Sequence, residues 1–137
     1  MTLDPEILRS SFELVVARNP DVVRRFYDLL FERYPAVRPL FGNVRAQQER
    51  MLTFALAAVI EHLEDAPWLA TTLGSLGRRH VGYGVTDEMY DQVGAALITT
   101  LARAAGPHWT PELESQWSAA YGAIAAMMKA GSAAQAA

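Results

Sequence analysis

The chain has 137 residues, of which 12 are Lys or Arg, 15 are Asp or Glu, three are His and none is Cys. This length corresponds to one ordinary domain, which can bury enough apolar surface to fold without disulfides. The lack of cysteine excludes disulfides, thiolate zinc sites, Cys-ligated iron–sulfur clusters and a cysteine nucleophile. The formal charge of −3 argues against a nucleic-acid-binding protein, because no basic surface would contact the phosphates.

The location of the protein can also be predicted from the sequence. Polar residues interrupt each apolar stretch well before the roughly 20 residues that a membrane span needs. The start, MTLDPEILRS, lacks the basic segment and the apolar run of a secretory signal. We therefore expect one soluble, cytoplasmic domain over residues 1–137, with a frayed tail at about 131–137 where the residues are small and polar.

Apolar residues recur at intervals of three and four in six segments, which predicts amphipathic helices. These segments span about 4–18, 20–34, 44–64, 67–80, 87–105 and 111–130. Four of them begin near a proline, and three of the four place a capping side chain before a proline at the first helical position. The four pairs are Asp4-Pro5, Asn19-Pro20, Ala66-Pro67 and Thr110-Pro111. With no sustained alternating pattern, the sequence predicts an all-α fold.

The three histidines are the candidate metal ligands. His62, near the end of a long helix, and His108, in a Gly-Pro loop, are best interpreted as surface or structural residues. His80 ends a helix before a glycine-rich turn, and Tyr90 follows ten residues later in the first turn of the next helix. A lone helical histidine is usually structural, so spacing alone does not assign a ligand role. The absence of HExxH, phosphate-loop and GxSxG motifs argues against an ordinary hydrolase or transferase.

Two polar side chains, Tyr27 and Gln48, fall on helix faces that are otherwise apolar. Taken singly, Tyr27 is best interpreted as half-buried with its hydroxyl at the surface, and Gln48 as a solvated residue in a first helical turn. If their helices face one cavity, the phenol and the amide need hydrogen-bonding partners, and a polar ligand could supply one. The residues alone leave both interpretations open.

Several segments together resemble the globin family over nearly the whole chain. FYDLLFERYPAVRPLF is similar to the second and third helices of flavohaemoglobin-type globins, and QWSAAYGAIAAMM is similar to the last globin helix. LGRRHVGYGV is similar to the proximal segment of neuroglobins and of some single-domain bacterial globins. The resemblance implies an all-α globin fold, a three-on-three helical sandwich around haem b, in which the short helix after Phe41 is missing.

The resemblance also implies the residues of the haem site. His80 would be the proximal iron ligand, and Phe41 the pocket phenylalanine that packs on the haem. Gln48 stands 32 residues before His80, at the family's distal position, and Leu52 lies one helical turn further on. Tyr27 stands 14 residues before Phe41, as in the family. Tyr27, Gln48 and Leu52 would form the distal set of flavohaemoglobin-like bacterial globins.

The same resemblance assigns further cofactor contacts. The pocket wall would include Val85, Val93 and Leu97, although any helical core would show the same apolar residues. Arg79 is expected at a haem propionate, with Arg45 or Arg50 as alternatives, and each of these also fits a solvated surface charge.

The proximal side departs from the flavohaemoglobin pattern. Tyr90 matches the tyrosine of the family's His–Tyr–Glu network, but Ser132 stands where the glutamate would be. We therefore expect the N–H of His80 to bond a backbone carbonyl near Leu76, as in ordinary globins.

The function that the resemblance implies is reversible binding of O₂, and also of NO and CO, with Tyr27 and Gln48 hydrogen-bonded to the bound O₂. An alternative is an enzyme, a nitric oxide dioxygenase that forms nitrate. We expect it to need a separate reductase, because no flavin or nicotinamide domain follows the globin segment. A third possibility is a gas-sensor module with haem, or an interaction module that has lost it. Retention of His80 and Phe41 argues against the loss of haem.

Overall fold

The computed structural model describes residues 3–41 and 45–136, and the side chains up to Gly131. Six α-helices follow one another, and no strand occurs within these described ranges, which confirms the all-α prediction. The helices are α1 (Pro5–Arg18), α2 (Val22–Arg33), α3 (Arg45–Glu61), α4 (Ala66–Gly82), α5 (Asp87–Ala105) and α6 (Pro111–Ala136). Two short 3-10 segments, Pro35–Leu40 and Gly106–His108, connect α2 to the α3 region and α5 to α6.

Most helix starts have the local chemistry that the sequence predicts. The Asp4 carboxylate accepts from the N–H groups of Glu6 and Ile7 and caps α1. Thr110 Oγ1 accepts from the Leu113 N–H at the start of α6. At α4 the cap is Asp65, one residue before the predicted Ala66-Pro67 pair, and its carboxylate accepts from Trp68.

The predicted cap at Asn19 is wrong. The Asn19 amide instead donates to the main-chain carbonyls of Val15, at 3.3 Å, and Ala104, at 3.0 Å. It therefore joins the end of α1 to the end of α5, and α2 begins only at Val22 with Asp21 at its N-cap position.

Two predictions concern segments that the structure describes in part or not at all. The predicted loss of a short helix after Phe41 falls on residues 42–44, which lie outside the described residues, and α3 begins at Arg45. The backbone of α6 is helical to Ala136, past the predicted end at about residue 130. Fraying of the tail stays a prediction.

The buried side chains form two clusters. The larger one, which we name the α2/α5 cluster, joins α1, α2, α5 and α6; its most buried members are Leu8, Val15, Phe26, Leu30, Ala96, Leu101 and Trp117. The smaller one, the α4/α6 cluster, consists of Val59, Leu69, Leu73, Tyr90, Ala125 and Met128. Both clusters are large enough to hold their helices by burial of apolar surface.

Glycines bring α4 and α6 into close contact. A Cβ atom added at Gly77 would overlap the main chain of Met128, and one at Gly131 would overlap the main chain of Gly74. The two backbones can approach this closely only without side chains at these positions. Gly77 lies three residues before His80, so this contact fixes the helix that carries His80. None of the helices in the described part of the chain combines the length and hydropathy needed to cross a bilayer.

We expect Gly77→Ala to lower the free energy of unfolding by about 1–3 kcal/mol, because the methyl group must push α4 away from α6. Urea unfolding followed by circular dichroism measures this change. Gly82→Ala is the matched control, since it lies in the same helix and a Cβ there has no neighbour within 4 Å. Equal stability of the two variants would contradict the close approach.

Candidate functional site

His80 lies in the last turn of α4, which ends at Gly82 and is followed by Gly84 with a φ of +87°. Its imidazole Nδ1 lies 2.7 Å from the main-chain carbonyl oxygen of Leu76, one turn earlier. Because a carbonyl can only accept, Nδ1 carries the proton and donates it. The predicted bond to a carbonyl near Leu76 is therefore confirmed. The other ring nitrogen, Nε2, consequently carries the lone pair that can bind a metal.

Tyr90 packs beside the imidazole of His80. The two rings are inclined by 28° with their centroids 6.4 Å apart. The Tyr121 hydroxyl donates to the Tyr90 main-chain carbonyl at 2.6 Å and so ties this turn of α5 to α6. Burial, and to a smaller extent the Asp87 carboxylate, raise the pKa of Tyr90, so its phenol is neutral at physiological pH. The side chain of Ser132, which stands where flavohaemoglobins have the glutamate of the His–Tyr–Glu network, lies outside the described residues.

Tyr27 is 4% exposed, so the interpretation that this residue is half-buried is wrong. Its ring packs against those of Phe31 and Phe41, with centroid separations of 5.7 and 5.4 Å. The Phe41 ring meets it edge to face, which is a favourable arrangement for aromatic pairs. Tyr27 is enclosed because Phe41, which follows the 3-10 segment, folds back over α2.

The hydroxyl of Tyr27 is a protonated donor. Burial, followed by the charge of the Glu49 carboxylate, raises the pKa of Tyr27 to about 12, and Arg45 opposes this shift. The hydroxyl donates to the main-chain carbonyl of Gln48 over 3.3 Å, which is long for an O–H···O bond. A nearer or more negative acceptor would therefore compete for this proton.

A small cavity of about 10 Å³ lies beside the Tyr27 ring, room for about one water molecule. Its lining residues are Tyr27, Phe31, Arg38, Phe41, Arg45 and Gln48. The structure thus brings together Tyr27, Phe41 and Gln48, three of the four pocket residues that the sequence singled out on this side. Leu52, the fourth, is partly buried and packs against the α2/α5 cluster.

The remaining predicted site residues fall on the two clusters. Val93 and Leu97 belong to the α2/α5 cluster, with Tyr27 and Leu52. Val85 packs against the α4/α6 cluster, which contains Tyr90. The apolar residues selected from the sequence are therefore divided between the Tyr27 side and the His80 side of the molecule.

The three arginines considered for this site differ in their surroundings. Arg79 and Arg50 are exposed. Arg45 is held by α2, where it donates to the Asp28 carboxylate and to the Arg24 main-chain carbonyl. Sequence reasoning missed this role. The sequence does carry a signal for it: the acidic residue Asp28 directly follows Tyr27, and the basic residue Arg45 stands three residues before Gln48.

Comparison with known proteins identifies the family. A family model that describes globins matches residues 24–128. The chain belongs to the globin family. Among curated proteins, the flavohemoprotein of Rhodopirellula baltica is 30% identical over 122 residues, which are 87% of this chain and 30% of that protein. This globin spans about a third of the length of the curated flavohemoproteins it matches.

Solved structures confirm the globin fold. An engineered carbene transferase from Rhodothermus marinus, provisionally named a nitric oxide dioxygenase, is 26% identical to this globin and superimposes with a TM-score of 0.82. The two proteins match over 96% of this chain and 94% of the other. A bacterial globin from Campylobacter jejuni, 22% identical, has a TM-score of 0.81 over 96% of this chain and 95% of its own.

Globins bind haem, and the residues of this chain fit that group. His80 offers a nitrogen lone pair with its tautomer fixed by Leu76. Within the described ranges no three His, Asp or Glu side chains meet at a metal site, so His80 suits a metal that brings its other ligands with it, as haem iron does. Val81 and Tyr83 beside His80 are 54% and 58% exposed, which leaves apolar surface near the imidazole.

The raised pKa of Tyr27 makes the free energy of unfolding depend on pH in the alkaline range. Its pKa of about 12 in the folded state exceeds the ordinary value of 10, so its contribution is complete below pH 10 and is lost as the pH rises towards 12. When the pH rises from 8 to 11, the free energy of unfolding should fall in both proteins. We expect the fall in Tyr27→Phe to be about 1 kcal/mol smaller than in the unmodified globin.

Urea unfolding at the two pH values measures this difference. Tyr83→Phe, which removes a phenol that is 58% exposed, is the control. If the free energy of unfolding of Tyr27→Phe falls with pH as steeply as that of the unmodified globin, the buried hydroxyl does not retain its proton.

Proposed function

We propose that this globin binds O₂ reversibly at haem b, with His80 as the iron ligand and with Tyr27 and Gln48 as hydrogen-bond donors to the bound O₂. The observation that carries the proposal is the Tyr27 phenol. It is buried, it is neutral, and its hydroxyl has only a long bond to a main-chain carbonyl. Such a donor is available to a better acceptor in a site from which water is excluded.

Haem, when bound, supplies the iron to which O₂, NO or CO attaches. The task of His80 is to present Nε2 in a fixed direction, and the bond from Nδ1 to Leu76 supports this because it fixes both the ring orientation and the tautomer. A carbonyl acceptor polarises the N–H bond of the imidazole less than a carboxylate would, so the imidazole ring gains less electron density. The proximal side therefore favours storage of O₂ over cleavage of the O–O bond.

Donors on the distal side select among the gases. Bound O₂ carries partial negative charge on its oxygens, whereas CO is nearly neutral, so a phenol O–H and an amide N–H stabilise O₂ more. We propose that the Gln48 side chain supplies the second donor and that Leu52 and Phe41 restrict the space beside the ligand. Val85, Val93, Leu97 and Tyr90 form the wall in this proposal, and the exposed Arg79 contacts a propionate.

A second candidate function is nitric oxide dioxygenation. The similarity to flavohemoproteins and to the Rhodothermus marinus protein favours it. O₂, NO and one electron combine to give nitrate, so repeated turnover needs a reductase that returns the electron. The two functions use the same pocket and differ in turnover. Catalytic nitrate formation with a reductase and NAD(P)H would favour the enzyme, and a single equivalent per haem would favour the O₂-binding role.

His80→Ala tests the iron ligand. We expect at least tenfold faster loss of haem to an excess of a haem-scavenging apoprotein, because the protein's only bond to iron is removed. His108→Ala is the control, since this histidine is exposed in the loop before α6. Equal haem loss from both variants would contradict the assignment of His80.

Tyr27→Phe tests the distal donor. We expect O₂ to dissociate roughly ten- to a hundredfold faster, since a hydrogen bond to a charged acceptor is worth about 1.5–3 kcal/mol, while CO dissociation changes less than about twofold. Stopped-flow ligand replacement measures both rates. Tyr34→Phe, at the end of the same helix, is the control. A change of equal size for both gases would count against the hydrogen bond.

A further inference from the structure

Helix α3, which carries Gln48 and Leu52, is held weakly by apolar packing at its start. Val59, near its end, is the one buried residue of the helix. Met51 and Phe54 are 57% and 78% exposed. Polar contacts must therefore fix the position of the first turns, where Gln48 lies.

Arg45, the first residue of α3, makes those contacts with α2. One guanidinium nitrogen donates to Asp28 Oδ1 at 2.6 Å and to the main-chain carbonyl of Arg24 at 2.9 Å. Hydrogen bonds between a guanidinium and a carboxylate are among the strongest and most directional in proteins. We name the Arg45–Asp28 pair, with the Arg24 carbonyl, the α2–α3 clamp.

The clamp also covers the aromatic side of the cavity. The guanidinium carbon of Arg45 lies 5.9 Å from the centroid of the Tyr27 ring and 5.8 Å from that of Phe31. One turn further along α3, Glu49 lies 3.5 Å from Arg45 Nε and 3.8 Å from Arg24 Nε. The charged side chains of α2 and α3 thus alternate in sign where the two helices meet beside the buried Tyr27 ring.

The direction of the Tyr27 hydroxyl and the position of the Gln48 side chain depend on the distance between these two helices. The Tyr27 hydroxyl reaches the Gln48 main-chain carbonyl three residues after Arg45. Asp28 directly follows Tyr27 on α2. A shift of α3 along or away from α2 would therefore change the direction of the hydroxyl and the position of the Gln48 side chain together.

We propose that Arg45 and Asp28 are positioning residues, which hold the start of α3 against α2 and thereby set the geometry of the two distal donors. This inference rests on the proposed O₂-binding function. The side chains of Arg45 and Asp28 are 35% and 60% exposed, and exposed ion pairs contribute little to global stability. The loss of the clamp should accordingly affect ligand binding much more than unfolding.

Asp28→Asn in the haem-loaded globin tests the clamp. We expect O₂ to dissociate about three- to tenfold faster, with CO dissociation changed less than about twofold. The infrared stretching frequency of bound CO should move towards the value of Tyr27→Phe, because it reports the field of the distal donors. Asp21→Asn is the matched control: it removes the same charge from the exposed Arg25–Asp21 pair, whose two members lie at the start of α2.

A double-mutant cycle separates positioning from a general structural effect. In the Tyr27→Phe background, Asp28→Asn should accelerate O₂ dissociation less than it does in the unmodified globin, since one of the two donors it positions is gone. An equal acceleration in both backgrounds, or the same change in Asp21→Asn, would overturn the proposal. So would a CO stretching frequency that stays at its original value.

The cycle also distinguishes failure of the clamp from failure of the proposed function. If Tyr27→Phe accelerates O₂ release and Asp28→Asn does not, the clamp is overturned while the donor role of Tyr27 stands. If Tyr27→Phe itself leaves O₂ release unchanged, the proposed distal chemistry is overturned, and the positioning role falls with it.

Discussion

The hydrogen bond from His80 Nδ1 to the Leu76 carbonyl gives this globin its reactive nitrogen. It fixes the tautomer, so Nε2 carries a lone pair whose direction is set by α4. That helix is fixed in turn by its backbone contact with α6, where the Met128 main chain leaves no room for a side chain at Gly77. Tyr90 and Tyr121 then join α5 to the same cluster. The half that contains His80 is thus built from local hydrogen bonds and close packing.

The half that contains Tyr27 is built differently. Its aromatic rings come from α2 and from the segment that ends at Phe41, whereas its polar groups come from the start of α3. Apolar packing positions the phenol, but ion pairs position the helix that faces it. Selectivity among gases in the proposed function depends on that arrangement.

The helices could be predicted from the sequence because their signals are local: spacing of apolar residues, and caps such as Asp4 and Thr110. Predictions failed where a distant residue decided the outcome. Asn19 bonds the end of α5, 85 residues away, rather than capping α2. The burial of Tyr27 depends on Phe41, and the partner of Arg45 lies on another helix. The roles of His80, Tyr27 and Gln48 toward haem came from family resemblance and stay predictions.

The most direct test of the account is the visible absorption spectrum of the purified globin, recorded as isolated, after reduction with dithionite, and then under CO. Haem that is held on one side by His80 and open on the other should give a sharp Soret band that shifts on reduction and shifts again with CO. A folded protein that takes up no haem when hemin is added would contradict it, and so would a reduced spectrum that CO leaves unchanged.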